Sequence, residues 1–181
     1  MNIPEFINIA PDGLERIDAP AAEFYRLFDV AIQLAQKKQF DAAVPAWRKA
    51  LDLAPDDARA HNNLGVALAE SGKIDEAIAE YRRSLELDPD NPRAHNNLGG
   101  ALAESGRLVE AIEHLRRGVE IEPDLADGHN NLGAALARFG ALDEAVLHLE
   151  KAVALAPQNV GYRYNFGRTL AVKGRFGDAA S

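Results

Sequence analysis

The chain contains no cysteine, which removes disulfide bonds and thiolate nucleophiles from consideration. No apolar run approaches the roughly 18 residues that a membrane span requires, so membrane insertion is not expected. The opening, MNIPEFINIAPDG, lacks both a basic region and a continuous apolar stretch, so it does not read as a signal peptide. A cytoplasmic location is the expectation, or a periplasmic one if a leader has been removed. Positive charge is also short. Lys and Arg number 20 against 28 Asp and Glu, a net charge of −8, which argues against nucleic acid and anionic membranes as partners.

What the chain does have is repetition. His61-Asn62-Asn63-Leu64-Gly65 recurs as His95-Asn96-Asn97-Leu98-Gly99 and as His129-Asn130-Asn131-Leu132-Gly133, each 34 residues further on. With Ala58 as position 1 of a unit, Leu64, Leu98, Leu132 and Phe166 fall at position 7, and Gly65, Gly99, Gly133 and Gly167 at position 8. Position 15 holds Gly72, Gly106, Gly140 and Gly174; position 20 holds Ala77, Ala111, Ala145 and Ala179; position 32 holds Pro89, Pro123 and Pro157. The register persists weakly before Ala58, with Ala43 at position 20, Trp47 at 24, Ala50 at 27 and Pro55 at 32.

Each unit reads as two helices, A and B. Apolar residues at 7, 11 and 3 or 10 mark one face of helix A, and those at 20, 21, 24, 27 and 28 one face of helix B. Glycine at 15 can take the positive φ that ends helix A, and proline at 32 ends helix B. Small residues at 8 and 20 let the two backbones approach. Neither helix can bury its face alone, so units must stack.

This pattern resembles the tetratricopeptide repeat, through its period and its Leu-Gly, Ala and Pro landmarks. The resemblance implies an all-α, right-handed solenoid over residues 20–181, with repeats at 24–57, 58–91, 92–125 and 126–159 and a truncated one at 160–181. The chain departs from the family pattern at position 4, where His61, His95 and His129 replace an aromatic, and at position 11, where leucine replaces tyrosine.

Residues 1–19 lie outside the repeat as an extended N-terminal segment, broken by Pro4, Pro11 and the Asp12-Gly13 turn signal. Ile3, Phe6, Ile7, Ile9, Leu14 and Ile17 make it apolar enough to cover the edge of the first repeat, or to enter the groove or another protomer. Asp18 is the expected N-cap of the first helix, and Asp41 that of the second, which would place Pro45 within a first turn. The last repeat is expected to end helix A at Gly174 and to leave Tyr162, Phe166 and Leu170 uncovered. Self-association through that edge, or a continuation that covers it, follows as an expectation.

No constellation for catalysis assembles, and no enzyme activity or cofactor is expected. The three in-register histidines cannot converge on one metal, because packed helices lie about 8–10 Å apart and zinc needs nitrogens at about 2.0–2.1 Å. A packing role with one polar edge satisfied suits them better, and His114 and His148 are expected on a solvated face. Ser71 and Ser105 sit beside loop glycines, Ser84 fills a small-residue packing position, and the periodic glycines form no phosphate loop.

The inner groove remains. The resemblance implies that A helices line a concave surface through positions 2, 5, 6, 9, 12 and 13. Position 6 is Asn63, Asn97, Asn131 and Asn165; position 5 is Asn62, Asn96, Asn130 and Tyr164. Position 2 adds Arg59 and Arg93, position 13 Arg138 and position 9 Arg168, while repeat 1 offers Tyr25, Phe28 and Ile32. A primary amide has donors and an acceptor, so it can bond both N–H and C=O of an extended peptide. The asparagine ladder resembles that of the tetratricopeptide superhelix of O-linked N-acetylglucosamine transferase. The family's carboxylate clamp is absent, because position 5 is Asn where the clamp needs Lys, and position 9 is Val66, Gly100 or Ala134. The expected function is a non-enzymatic scaffold that binds a protein or peptide partner in this groove. The alternatives are a substrate-recruiting domain of a larger enzyme, such as a glycosyltransferase, and a self-assembly module. Groove side chains are expected to be exposed, so replacing Asn97 and Asn131 should hardly touch folding.

Overall fold

The computed structural model describes residues 19–179, and side chains over 20–174. The Asp18 cap and the placement of residues 1–18 therefore lie outside the described residues. Among those described, the chain is all helix: α1 (Ala19–Gln36), α2 (Phe40–Leu53), α3 (Ala58–Glu70), α4 (Ile74–Leu87), α5 (Pro92–Glu104), α6 (Leu108–Ile121), α7 (Ala126–Phe139), α8 (Leu142–Leu155) and α9 (Val160–Ala179). Odd-numbered helices are the A helices and even-numbered ones the B helices.

Local chemistry sets the boundaries. Asp57 and Asn91 cap α3 and α5 by accepting from the Ala60 and Ala94 amides at 2.9 and 3.1 Å. Gly72, Gly106 and Gly140 take positive φ of 76, 84 and 99° at position 15. There the amides of Lys73, Arg107 and Ala141 return to the carbonyls of Leu68, Leu102 and Leu136 at 2.9 Å. Repeat 1 makes the same turn with Lys38 at φ 58°, an L-residue in a conformation that glycine prefers.

Two boundaries differ from expectation. Gln39, not Asp41, stands at the cap of α2, and Asp41 lies within the first turn. Pro45 is thus deeper in the helix, where it takes away the donor of the Asp41 carbonyl. Its ring is exposed while Val44 and Trp47 are buried, so packing on both sides holds the helix through the lost bond. The second difference is α9, which runs through Gly174 to Ala179 as one helix. Gly174 keeps a helical φ because no B helix follows within the described residues to draw the chain back.

The core follows the repeat. Leu64, Leu98 and Leu132 at position 7, Leu68, Leu102 and Leu136 at position 11, and Ala60, Ala67, Ala77, Ala111 and Ala145 are all buried. Fully burying one such leucine contributes about 1.5–3 kcal/mol. A Cβ on Gly99 would lie 2.5 Å from Leu115 Cγ and 3.0 Å from the Ala111 carbonyl; on Gly133 it would meet Leu149 and Ala145 in the same way. Position 8 is therefore where helices A and B touch. At Gly167, where no B helix packs, such a Cβ would meet nothing.

Helix A packs on its own helix B, and each B helix packs on the next A helix. Across repeats α3 packs on α5, α5 on α7 and α7 on α9, whereas successive B helices make no comparable contact. A stack tighter along its A helices must curve towards them, so the A helices form the concave side. On the B side, exposed ion pairs link neighbouring repeats: Arg48–Glu76 at 2.7 Å, Arg82–Glu110 at 3.1 Å and Arg116–Glu144 at 2.7 Å. Each such surface pair contributes only about 0–1 kcal/mol.

Candidate groove and the bonds that shape it

Asparagines at position 6 of repeats 3 to 5 each bond the asparagine at position 5 of the preceding repeat. Asn97 Nδ2 donates to Asn62 Oδ1 at 3.0 Å, Asn131 Nδ2 to Asn96 Oδ1 at 3.0 Å, and Asn165 Nδ2 to Asn130 Oδ1 at 2.9 Å. Asn130 Nδ2 also donates to Asn131 Oδ1 at 3.2 Å. Asn96 is 9% exposed, and Asn62, Asn63, Asn97, Asn130, Asn131 and Asn165 are half-buried. The expectation that these side chains stand free of the fold is thereby corrected. Successive A helices sit close enough for one amide to reach the next, and each bond ties two repeats together. It also fixes which way each amide points, and leaves the second N–H of Asn97, Asn131 and Asn165 unused among the described residues.

The floor between these amides is small. Gly100, Ala103, Ala134 and Ala135 line a hollow of about 240 Å³ between α5 and α7, with Asn131, Glu104 and Arg138 on its rim. A second hollow of about 210 Å³, between α7 and α9, is lined by Ala137, Arg138, Leu142, Arg168, Thr169 and Val172. Arg138 stands on both. Its Nη1 donates to the Ala103 carbonyl at 2.7 Å, which holds the guanidinium over the end of α5.

The other predicted groove residues are placed as follows. Arg59 pairs with Asp57 at 2.9 Å and lies 5.5 Å from the centre of the Phe28 ring, which itself packs edge-on to Trp47. Arg93 is exposed at the start of α5. Arg168 lies 5.9 Å from the centre of the Tyr164 ring, and Tyr164 is 67% exposed. Asp127 at position 2 of repeat 4 accepts a hydrogen bond from the Tyr162 hydroxyl. Burial and that bond push the Tyr162 hydroxyl up to about 12. Tyr162 is consequently buried under α7 rather than presented at the edge, and Phe166 is half-buried; of the three residues expected there, Leu170 is the exposed one.

The histidines do more than fill space. His61, His95 and His129 each bond through Nε2 to the carbonyl of the preceding inter-repeat proline, Pro55, Pro89 or Pro123, at 2.9–3.0 Å. A carbonyl only accepts, so Nε2 carries the proton. His95 and His129 then offer a bare Nδ1 to Nδ1 of His114 and His148, at 3.1 and 3.0 Å. His114 and His148 are thus half-buried partners across the hairpin, not residues of a solvated face. The signal was present in the sequence, since positions 4 and 23 are 19 residues apart in both repeats and Glu80 takes that place beside His61 at 2.7 Å. Burial holds His95, His114 and His148 below the ordinary imidazole value, and the adjacent ring adds to this for His114 and His148. Among the described residues no three His, Asp or Glu side chains gather as metal ligands, and no helix is long and apolar enough to cross a membrane.

Sequence profiles of the tetratricopeptide repeat match residues 29–92, 67–126 and 126–159. The chain belongs to the tetratricopeptide-repeat family. No curated protein sequence matches it. Solved structures agree on the fold. YrrB, described as a tetratricopeptide-repeat protein with an unusual peptide-binding site, is 25% identical with a TM-score of 0.67, over 82% of this chain and 76% of its own. MamA of Desulfovibrio magneticus RS-1 is 21% identical with a TM-score of 0.77, over 90% of this chain and 92% of its own. The first repeat domain of Spaghetti (RPAP3), solved with an HSP90 peptide, is 23% identical with a TM-score of 0.62, over 65% of this chain and 93% of its own. The tetratricopeptide repeats here are thus a protein-interaction scaffold of stacked helix pairs.

Proposed function

We propose that the scaffold binds an extended peptide along its concave face, with the asparagine chain reading the peptide backbone. The observation that carries this is the orientation of the amides by the Asn97–Asn62, Asn131–Asn96 and Asn165–Asn130 bonds, above a floor of Gly100, Ala103 and Ala134. An amide that is already held loses little freedom when it bonds a ligand. Successive helices lie about 8–10 Å apart and an extended chain advances about 3.3 Å per residue, so each repeat would meet about three peptide residues. YrrB, with its own peptide-binding site, supports the reading by likeness.

The test uses peptides selected from a displayed random library, measured by titration calorimetry. Asn97→Ala with Asn131→Ala should lose about 0.5–1.5 kcal/mol per amide, or about ten- to a hundredfold in affinity together. Methylating the backbone amides of the peptide should weaken binding more than exchanging its side chains. Because the same asparagines link repeats, the double variant should also lose about 1–3 kcal/mol of stability. Unchanged affinity in a folded double variant would remove the asparagines from the binding site.

A self-assembly reading is favoured by one observation. Leu170 at position 11 is 42% exposed on α9, whereas Leu68, Leu102 and Leu136 at the same position are buried. Mass in solution, measured across concentration for the chain and for Leu170→Glu, checks it: the chain should associate and the variant should not.

A further inference from the structure

Among the residues whose side chains are described, four arginines, Arg93, Arg138, Arg163 and Arg168, have no carboxylate within ion-pair distance, in a chain of net charge −8. The rest are committed. Arg48, Arg82, Arg83, Arg116 and Arg117 on the B helices each hold a carboxylate of a neighbouring repeat. All four uncommitted ones lie on A helices, and Arg93, Arg138 and Arg168 stand at the groove positions 2, 13 and 9. Arg138 and Arg168 line one hollow together, beside Ala137, Leu142, Thr169 and Val172. Arg138 is anchored on its α5 side by the Ala103 carbonyl through one nitrogen, which leaves its remaining donors for a ligand.

From this juxtaposition we propose that the C-terminal half of the groove takes an acidic peptide segment. A carboxylate lies between Arg138 and Arg168, and a neighbouring aliphatic side chain of the peptide enters the hollow lined by Leu142 and Val172. The inference rests on the concave face being the peptide site, and adds the chemistry of the peptide. Charge-assisted bonds from guanidinium to carboxylate are about twice as strong as neutral ones. Of the nearby acids, Asp127 is occupied by Tyr162, and Glu104 alone stands on the rim of the adjoining hollow. Arg93, exposed at the start of α5, extends the positive side of the groove towards its middle.

The experiment uses fluorescein-labelled peptides of roughly nine residues, the length three repeats accommodate at about 3.3 Å per residue. One alternates Asp with Leu, a second replaces each Asp by Asn, and a third replaces each Asp by Lys. Fluorescence anisotropy is read from about 50 to about 500 mM salt, because screening separates a charge contribution from a backbone one. The acidic peptide should bind about tenfold or more tightly than its Asn counterpart at low salt, the equivalent of about 1.4 kcal/mol. That advantage should shrink with salt and vanish in Arg138→Gln/Arg168→Gln, while Lys49→Gln, which removes one positive charge from α2, should keep it. Arg168→Gln alone, which gives up the Tyr164 ring contact but no hydrogen bond or ion pair among the described residues, should already reduce the preference. Glu104→Gln should enhance it. Equal binding of the acidic and Asn peptides, or a preference that survives the double variant, overturns the inference and leaves the groove reading standing. If none of the three peptides binds, both fall.

Discussion

Gly99 has no room for even one methyl group, since the Ala111 carbonyl and Leu115 side chain already fill the place a Cβ would take. Gly99→Leu should overpack the contact between α5 and α6 and cost about 1–3 kcal/mol or more. Coupling through shared faces should carry the loss into the neighbouring repeats, so hydrogen exchange should quicken in α4 and α7 as well. Wild-type thermal unfolding in this variant would contradict the packing account. Lys38 gives the opposite sign. It holds a positive φ that costs an L-residue about 1–2 kcal/mol, so Lys38→Gly should stabilise by about 0.5–1 kcal/mol after glycine's greater unfolded freedom is counted. Gly106→Ala, at the equivalent turn with φ 84°, should destabilise. Chemical denaturation of the two variants side by side checks both signs.

Helices and their loops were legible where a residue type itself dictates geometry. In repeats 2 to 4 the glycines at position 15, the leucines at 7 and 11 and the small residues at 8 and 20 each allow few alternatives, and the structure uses them as read. Pairings between helices were less legible. Asparagine at position 6 looks the same in sequence whether it faces solvent or the amide of the preceding repeat, because only the separation of A helices decides. The end of α9 escaped for another reason: Gly174 permits a turn but does not impose one without a helix to pack on. His114 and His148 read as solvated in sequence because the face of one helix does not reveal which helix packs on it.

Those histidines make a prediction at the scale of the hairpin. In each pair one ring donates to the other, and protonating both rings would set two cations with nitrogens about 3 Å apart. The sign follows from proton binding: His95, His114 and His148 have folded values below the unfolded one near 6.5, so the unfolded chain binds more protons as pH falls. Stability should be full above about pH 6.5 and decline below it, before most carboxylates titrate. His114→Gln/His148→Gln keeps a donor towards each Nδ1 and should flatten that decline. Thermal unfolding between about pH 7.5 and 5.5 should show a steeper slope for the wild type; equal slopes would mean that the pairs carry no such linkage.

At the scale of the whole molecule, the charges are sorted by face. Arginines on the B side are spent on neighbouring repeats, while the concave side holds aligned amides and uncommitted guanidiniums over a floor of small residues. That division is what a stack of repeats needs if one face is to hold the solenoid together and the other is to receive a partner. The most direct test is side-chain amide NMR of the chain during titration with the Asp–Leu peptide. The Nδ2 resonances of Asn97, Asn131 and Asn165 and the guanidinium resonances of Arg138 and Arg168 should shift together, with a single saturation curve, while those of Arg48, Arg82 and Arg116 stay in place. Shifts confined to the B helices or to the exposed face of α9 around Leu170 would contradict the account.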